Sequence, residues 1–137
     1  MKESPMAEDT QAENNHPHTV LVVEDSKPDQ VLVMNQIHAL WPECNIVPVQ
    51  SIHEAHEACA KHEFDMVMLD LNLPDGSGAD SVQSFRKFEK NVPIIVITGS
   101  LTDSKLQDAL DFGANTVISK TQMMVEDFSK VLEDTKT

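Results

Sequence analysis

The sequence predicts an α/β fold, a single doubly wound domain with helices on both faces of a five-stranded parallel sheet. Short β-branched runs alternate with helix-like segments from Thr19 onward, the alternation expected of a parallel sheet covered by helices. Three of those runs are nearly unbroken in apolar character, as strands buried on both faces require. The 137 residues, 40% hydrophobic and 24% charged, suit one core of ordinary size and leave no room for a separate catalytic or DNA-binding domain.

In chain order, residues 1–18 come first, with Lys2, Glu3, Glu8, Asp9 and Glu13 among Ser, Pro, Asn and Gln. They offer little to bury and are expected to form a disordered acidic tail ahead of a domain spanning 19–137. Strand 1 is expected at 19–24, where TVLVV runs into an acid. Val33, Met34, Ile37 and Leu40 then follow helical spacing. Strand 2 is expected at 46–50, followed by a helix carrying Ile52, Ala55 and Cys59. Strand 3 is expected at 66–70 and strand 4 at 93–98. The helix after strand 4 carries Leu106, Ala109, Leu110 and Gly113, and strand 5 follows at 116–119. The last helix bears Met124, Phe128, Val131 and Leu132. Each stripe is expected to face the core, because a helix on a sheet must bury one apolar face.

Right-handed crossovers leave few topologies for five strands and five helices, and the flavodoxin-like strand order 2-1-3-4-5 is the expected one. In that order strands 1 and 3 lie side by side at the switch point, where ligands bind beyond the carboxyl ends of the strands.

A formal net charge of −13, with ten Lys and Arg gathered into no basic patch, opposes direct contact with nucleic acid or anionic lipid. The longest apolar runs, Val20 to Val23 and Ile94 to Ile97, are too short to span a bilayer or form a signal-peptide core, so a cytoplasmic protein is expected. Cys44 and Cys59 form no CxxC pair and are read as reduced structural thiols. His53, His56 and His62 lack a completing Cys or acid cluster and are read as an exposed helix face.

Chemistry is expected at the strand ends. Glu24 and Asp25 close strand 1, Asp70 closes strand 3, Thr98 closes strand 4 and Lys120 follows strand 5. Singly, each has an ordinary structural explanation as a cap or a solvated group. Together they bring three carboxylates, a hydroxyl and an ammonium to one crevice. Two unit charges about 4 Å apart repel by roughly 4 kcal/mol at an effective dielectric near 20, so a cation is required. Magnesium suits such a site, since it takes one or two carboxylates and keeps positions open for water and phosphate oxygens. Metal and ammonium around a carboxylate serve phosphoryl transfer, with Asp70 as nucleophile and Thr98 as hydrogen-bond donor to a phosphoryl oxygen.

These residues resemble the receiver domains of bacterial response regulators, including the single-domain chemotaxis regulators. The resemblance rests on the acids in VLVVEDS, the acceptor in MVMLDLNLPDGSG, the hydroxyl in PIIVITGS and the lysine in VISK. It implies that Asp25 and Asp70 ligate magnesium with the backbone carbonyl of Asn72, and that Glu24 completes the acid pocket partly through metal-bound water. Thr98 and Lys120 match the family's switch hydroxyl and lysine. The implied function is a stand-alone regulator that takes a phosphoryl group from a histidine kinase or histidine phosphotransfer protein and signals to a downstream protein. Its only catalysis would be on itself, in acceptance and hydrolysis. Val117 stands where the family commonly has an aromatic residue, and Thr121 where it commonly has a proline. Those departures motivate an alternative, a phosphorylation-independent adaptor. An aspartyl-nucleophile phosphatase of the haloacid dehalogenase type is a further alternative, opposed by Asn72 where those enzymes have a second acid.

Overall fold

The computed structural model describes residues 18–99 and 101–125. Residues 1–17 of the expected tail lie outside them, as do Phe128, Val131, Leu132 and the side chain of Met124 from the last expected stripe.

Among the described residues the main sheet has five strands, β1 (Thr19–Val23), β2 (Asn45–Val49), β3 (Met66–Asp70), β4 (Ile94–Thr98) and β5 (Thr116–Ser119). All pair in parallel in the order β2-β1-β3-β4-β5, the expected doubly wound topology. The expected strand bounds hold to within one residue. Glu24 and Gln50 fall just past the ends of β1 and β2, where the chain turns toward a helix. Pro93 has no N–H to give the ladder and lies just before β4, although its carbonyl accepts from the Val67 N–H at 2.9 Å.

Among the described residues the helices are α1 (Lys27–Leu40), α2 (Ile52–Lys61), α3 (Asp80–Arg86), α4 (Asp103–Asp111) and α5 (Lys120–Val125). Polar caps start several of them. Ser26 Oγ accepts from the Asp29 N–H at the head of α1, with Pro28 in the first turn, where its missing N–H costs nothing. Ser51 and Glu54 cap α2, and Thr102 caps α4.

Period-two alternation along the strands divides the core between the two faces. Leu21, Val23, Leu69, Val96 and Val117 pack with Ala55, Val82, Phe85 and Ala109 from α2, α3 and α4. Val20, Val22, Met68, Ile95 and Ile118 pack with Val33, Ile37 and Met123 from α1 and α5. Two expectations for α4 are corrected. Leu110 is 38% exposed, because α4 meets the sheet along the narrow line of Leu106 and Ala109. Gly113 lies beyond the helix end with φ +120°, where it turns the chain into β5. Its carbonyl accepts from Arg86 Nε and Nη2 at 3.1 and 2.9 Å, tying α3 to this turn.

Both cysteines are free, Cys44 buried and Cys59 partly so. Burial pushes the Cys59 thiol up to about 11 and raises that of Cys44, so neither forms thiolate readily. His53, His56 and His62 are exposed, with His56 stacked on Phe88 at a centroid distance of 4.6 Å.

Candidate functional site at the strand ends

The parallel register of β1 with β3 and of β4 with β5 brings the carboxyl ends of these strands to one edge. Glu24 follows β1, Asp70 ends β3 and Thr98 ends β4, and each is nearly sealed from solvent, at 3%, 3% and 1% exposure. Lys120 is the first residue of α5 and reaches back over them. Its Nζ lies 3.1 Å from Glu24 Oε1 and 3.9 Å from Asp70 Oδ1. Asp25 is exposed, as is Asn72 two residues past Asp70. The structure thus joins Glu24, Asp70 and Lys120 in direct ionic contact and leaves the Asp25 side chain facing water.

Sequence reasoning missed Asp29. Its Oδ2 accepts from Lys120 Nζ at 2.7 Å, the shortest ion pair the lysine makes among the described residues. An acid in the first turn of a helix is usually explained by the helix dipole, so the sequence offered no separate signal. Also missed was Gln30, buried in α1, whose amide donates to the carbonyls of Glu24 at 3.3 Å and Val49 at 3.2 Å. It fastens the end of β1 to the end of β2.

Lys120 is aimed by a local device. The Ser119 N–H donates to Gln122 Oε1 and the Gln122 N–H donates to Ser119 Oγ, both at 3.0 Å. This reciprocal capping box orders the β5–α5 junction, where Thr121 stands in place of the family's usual proline. Its Ser-x-x-Gln spacing was readable in the sequence.

The loop after Asp70 is equally constrained. Asn72–Leu73 pairs antiparallel with Gly76–Ser77, and Gly78, at φ +60°, donates its N–H to the Leu71 carbonyl at 2.9 Å. Asp75 accepts from the N–H groups of Ile52 and His53 with its two oxygens, each at 2.9 Å. This anchors the loop that carries Asn72 to the head of α2.

Burial, and then the neighbouring Asp70 carboxylate, push the Glu24 carboxyl up to about 7. Burial opposes the charge on Lys120, but the hydrogen bonds it donates to Asp29 and Glu24 outweigh this and hold the ammonium above its ordinary value. Asp70 Oδ1 is buried and accepts no hydrogen bond among the described residues. A buried carboxylate oxygen left in that state is costly and suits an added cation or donor. No three His, Cys, Asp or Glu groups form a ready-made metal cage among the described residues. Magnesium does not need one, since it completes its shell with waters around one or two carboxylates. The all-oxygen donor set at this edge fits such an ion. No helix among the described residues is long and apolar enough to cross a membrane.

The family model of the response regulator receiver domain matches residues 20–132. The chain is 34% identical over 87 residues to the swarming motility regulation protein RssB of Serratia marcescens, covering 64% of this chain and 40% of that protein. It spans less than half the length of the curated relatives it matches first. The chemotaxis protein CheY4 of Vibrio cholerae shares the fold at a TM-score of 0.70 and 22% identity, over 85% of this chain and 99% of that one. A response regulator protein from Burkholderia pseudomallei, solved with a phosphorylated aspartic acid, calcium ion and citrate, does so at 0.70 and 19%, over 87% and 66% of the two chains. With the family model matched over nearly the whole described fold, and the five-stranded sheet wound in the same order, this chain belongs to the response regulator receiver domain family.

Proposed function

We propose that this receiver domain accepts a phosphoryl group on Asp70 from a phosphohistidine of a histidine kinase or histidine phosphotransfer protein. It then signals by a phosphorylation-dependent contact with another protein. The observation that carries this reading is the buried Asp70 carboxylate, with one oxygen free of hydrogen bonds and the Lys120 ammonium 3.9 Å away. In the transfer, an Asp70 oxygen attacks phosphorus, a P–O bond forms as the P–N bond breaks, and the imidazole nitrogen leaves with its electron pair. Lys120 neutralises charge on the phosphoryl oxygens, and Thr98 donates a hydrogen bond to one of them. Asp25, Asp70 and the Asn72 carbonyl would hold magnesium, with Glu24 acting through water. The ion supplies charge neutralisation at the same oxygens. The phosphorylated aspartate and bound cation of the Burkholderia structure support this assignment by family likeness.

The net charge of −13 favours output through protein rather than nucleic acid. The contact face is formed by α4, β5 and α5, which flank Thr98 and Lys120. Val117 is buried against this side of the core, so the response is a shift of the segment after Thr98 rather than the rotation of an aromatic ring.

The test is incubation with acetyl phosphate and magnesium, followed by mass spectrometry. Acyl phosphate on Asp70, lost in Asp70→Asn, is the expected result. An unlabelled wild type that still binds its partner would establish the adaptor reading instead.

A further inference from the structure

Lys120 is shared unequally among three acids. It touches Asp29 at 2.7 Å and Glu24 at 3.1 Å, yet stays 3.9 Å from Asp70. The residue expected to serve the acceptor is therefore held nearest to an acid outside the phosphoryl site. Asp29 differs from the other two in exposure, at 38% for its side chain against 3% for both Glu24 and Asp70. A carboxylate at that depth recovers water readily when it loses its partner, whereas Glu24 and Asp70 do not. Its backbone is fixed by the Ser26 cap at the head of α1, and the capping box of Ser119 and Gln122 fixes the base of Lys120.

We infer that Asp29 is a positioning residue for Lys120, holding the ammonium off Asp70 in the unmodified chain and giving it up when a phosphoryl group arrives there. The inference rests on the phosphoryl-acceptor reading above. A phosphoryl group brings nearly two negative charges and three acceptor oxygens, against the single charge of Asp29, so the ammonium transfers to it. The release leaves a bare carboxylate at the start of α1. Phosphorylation is thereby coupled to the loss of an ion pair between the head of α1 and the start of α5.

The experiment measures beryllofluoride affinity at saturating magnesium in the wild type, Asp29→Asn, Lys120→Ala and the double variant. Asp29→Asn should bind about fivefold more tightly, the worth of one partly exposed ion pair, and the gain should vanish in the Lys120→Ala background. Equal affinities, or a gain that persists without Lys120, would overturn the inference, the latter because it would report only a general change of charge. In parallel, 15N relaxation of the Lys120 ammonium without beryllofluoride should show it ordered in the wild type and mobile in Asp29→Asn. If the wild type takes up no beryllofluoride, the phosphoryl-acceptor reading fails and the release step with it. Failure of the Asp29 contact itself is distinct, and shows as a Lys120 ammonium equally mobile with and without Asp29.

Discussion

Glu24 makes the stability of the metal-free domain depend on pH in a direction opposite to that of most acids. Its carboxyl is raised from an ordinary 4.5 to about 7, first by burial and then by Asp70. A raised acid binds its proton more tightly in the folded chain than in the unfolded one, so the fold is favoured at low pH and loses that advantage as pH rises from 4.5 through 7. At 1.36 kcal/mol for each tenfold change in proton affinity, the loss is about 3 kcal/mol. That is a large part of a typical domain's net stability. Glu24→Gln removes the titration while keeping the shape. Urea unfolding with a chelator present should find the two proteins closest near pH 5, with the variant more stable by up to about 3 kcal/mol at pH 8. At a slope of about 2 kcal/mol per molar urea, the midpoints then separate by roughly 1.5 M. Other groups titrate over the same range, so the quantity to read is the difference between the two proteins at each pH. A difference that stays constant from pH 5 to pH 8 would refute the reasoning, since it would mean that the Glu24 carboxyl ionises alike in the folded and unfolded chains.

Four further outcomes are expected. Thr98→Ala should keep most of the labelling from acetyl phosphate but weaken the conformational response roughly tenfold or more, as loss of a hydrogen bond to a charged group of about 1.5–3 kcal/mol requires; NMR with beryllofluoride checks it. Asp25→Ala should weaken magnesium binding strongly, measured by titration, because the ion loses one of its few charged ligands. Asp75→Ala removes both acceptors at the head of α2 and should cost about 1 kcal/mol, with faster amide exchange at Ile52 and His53. Gly113→Ala would bring a Cβ to 3.0 Å from Arg86 Cγ at a φ of +120°, and a loss above about 1 kcal/mol in thermal unfolding is the expected result.

The output side follows from where the charges end. Lys120 belongs to α5, Thr98 leads into α4, and Asp29 belongs to α1. On the proposed reading, phosphorylation of Asp70 would reach three helices through two charged side chains and one hydroxyl, without any need for a moving ring at Val117.

The five strands, their order and the edge where Glu24, Asp70, Thr98 and Lys120 gather were all legible in the order of residues along the chain. Those features follow from local chemistry. Unbroken apolar runs specify buried strands, helical stripes specify crossovers, and handedness then leaves one practical winding. The Ser119 and Gln122 cap, which the sequence reading did not single out, carries the same kind of local signal in its spacing. How Lys120 divides itself emerged from the folded packing alone, because its three partners lie at Glu24, Asp29 and Asp70, and no periodicity relates them. The same packing leaves Asp25 facing water while Glu24 beside it is sealed, since neighbouring residues at a strand end point to opposite sides. Burial in turn made Glu24 hold its proton up to about 7, a property that follows from the surrounding dielectric and charges and from no residue's identity alone.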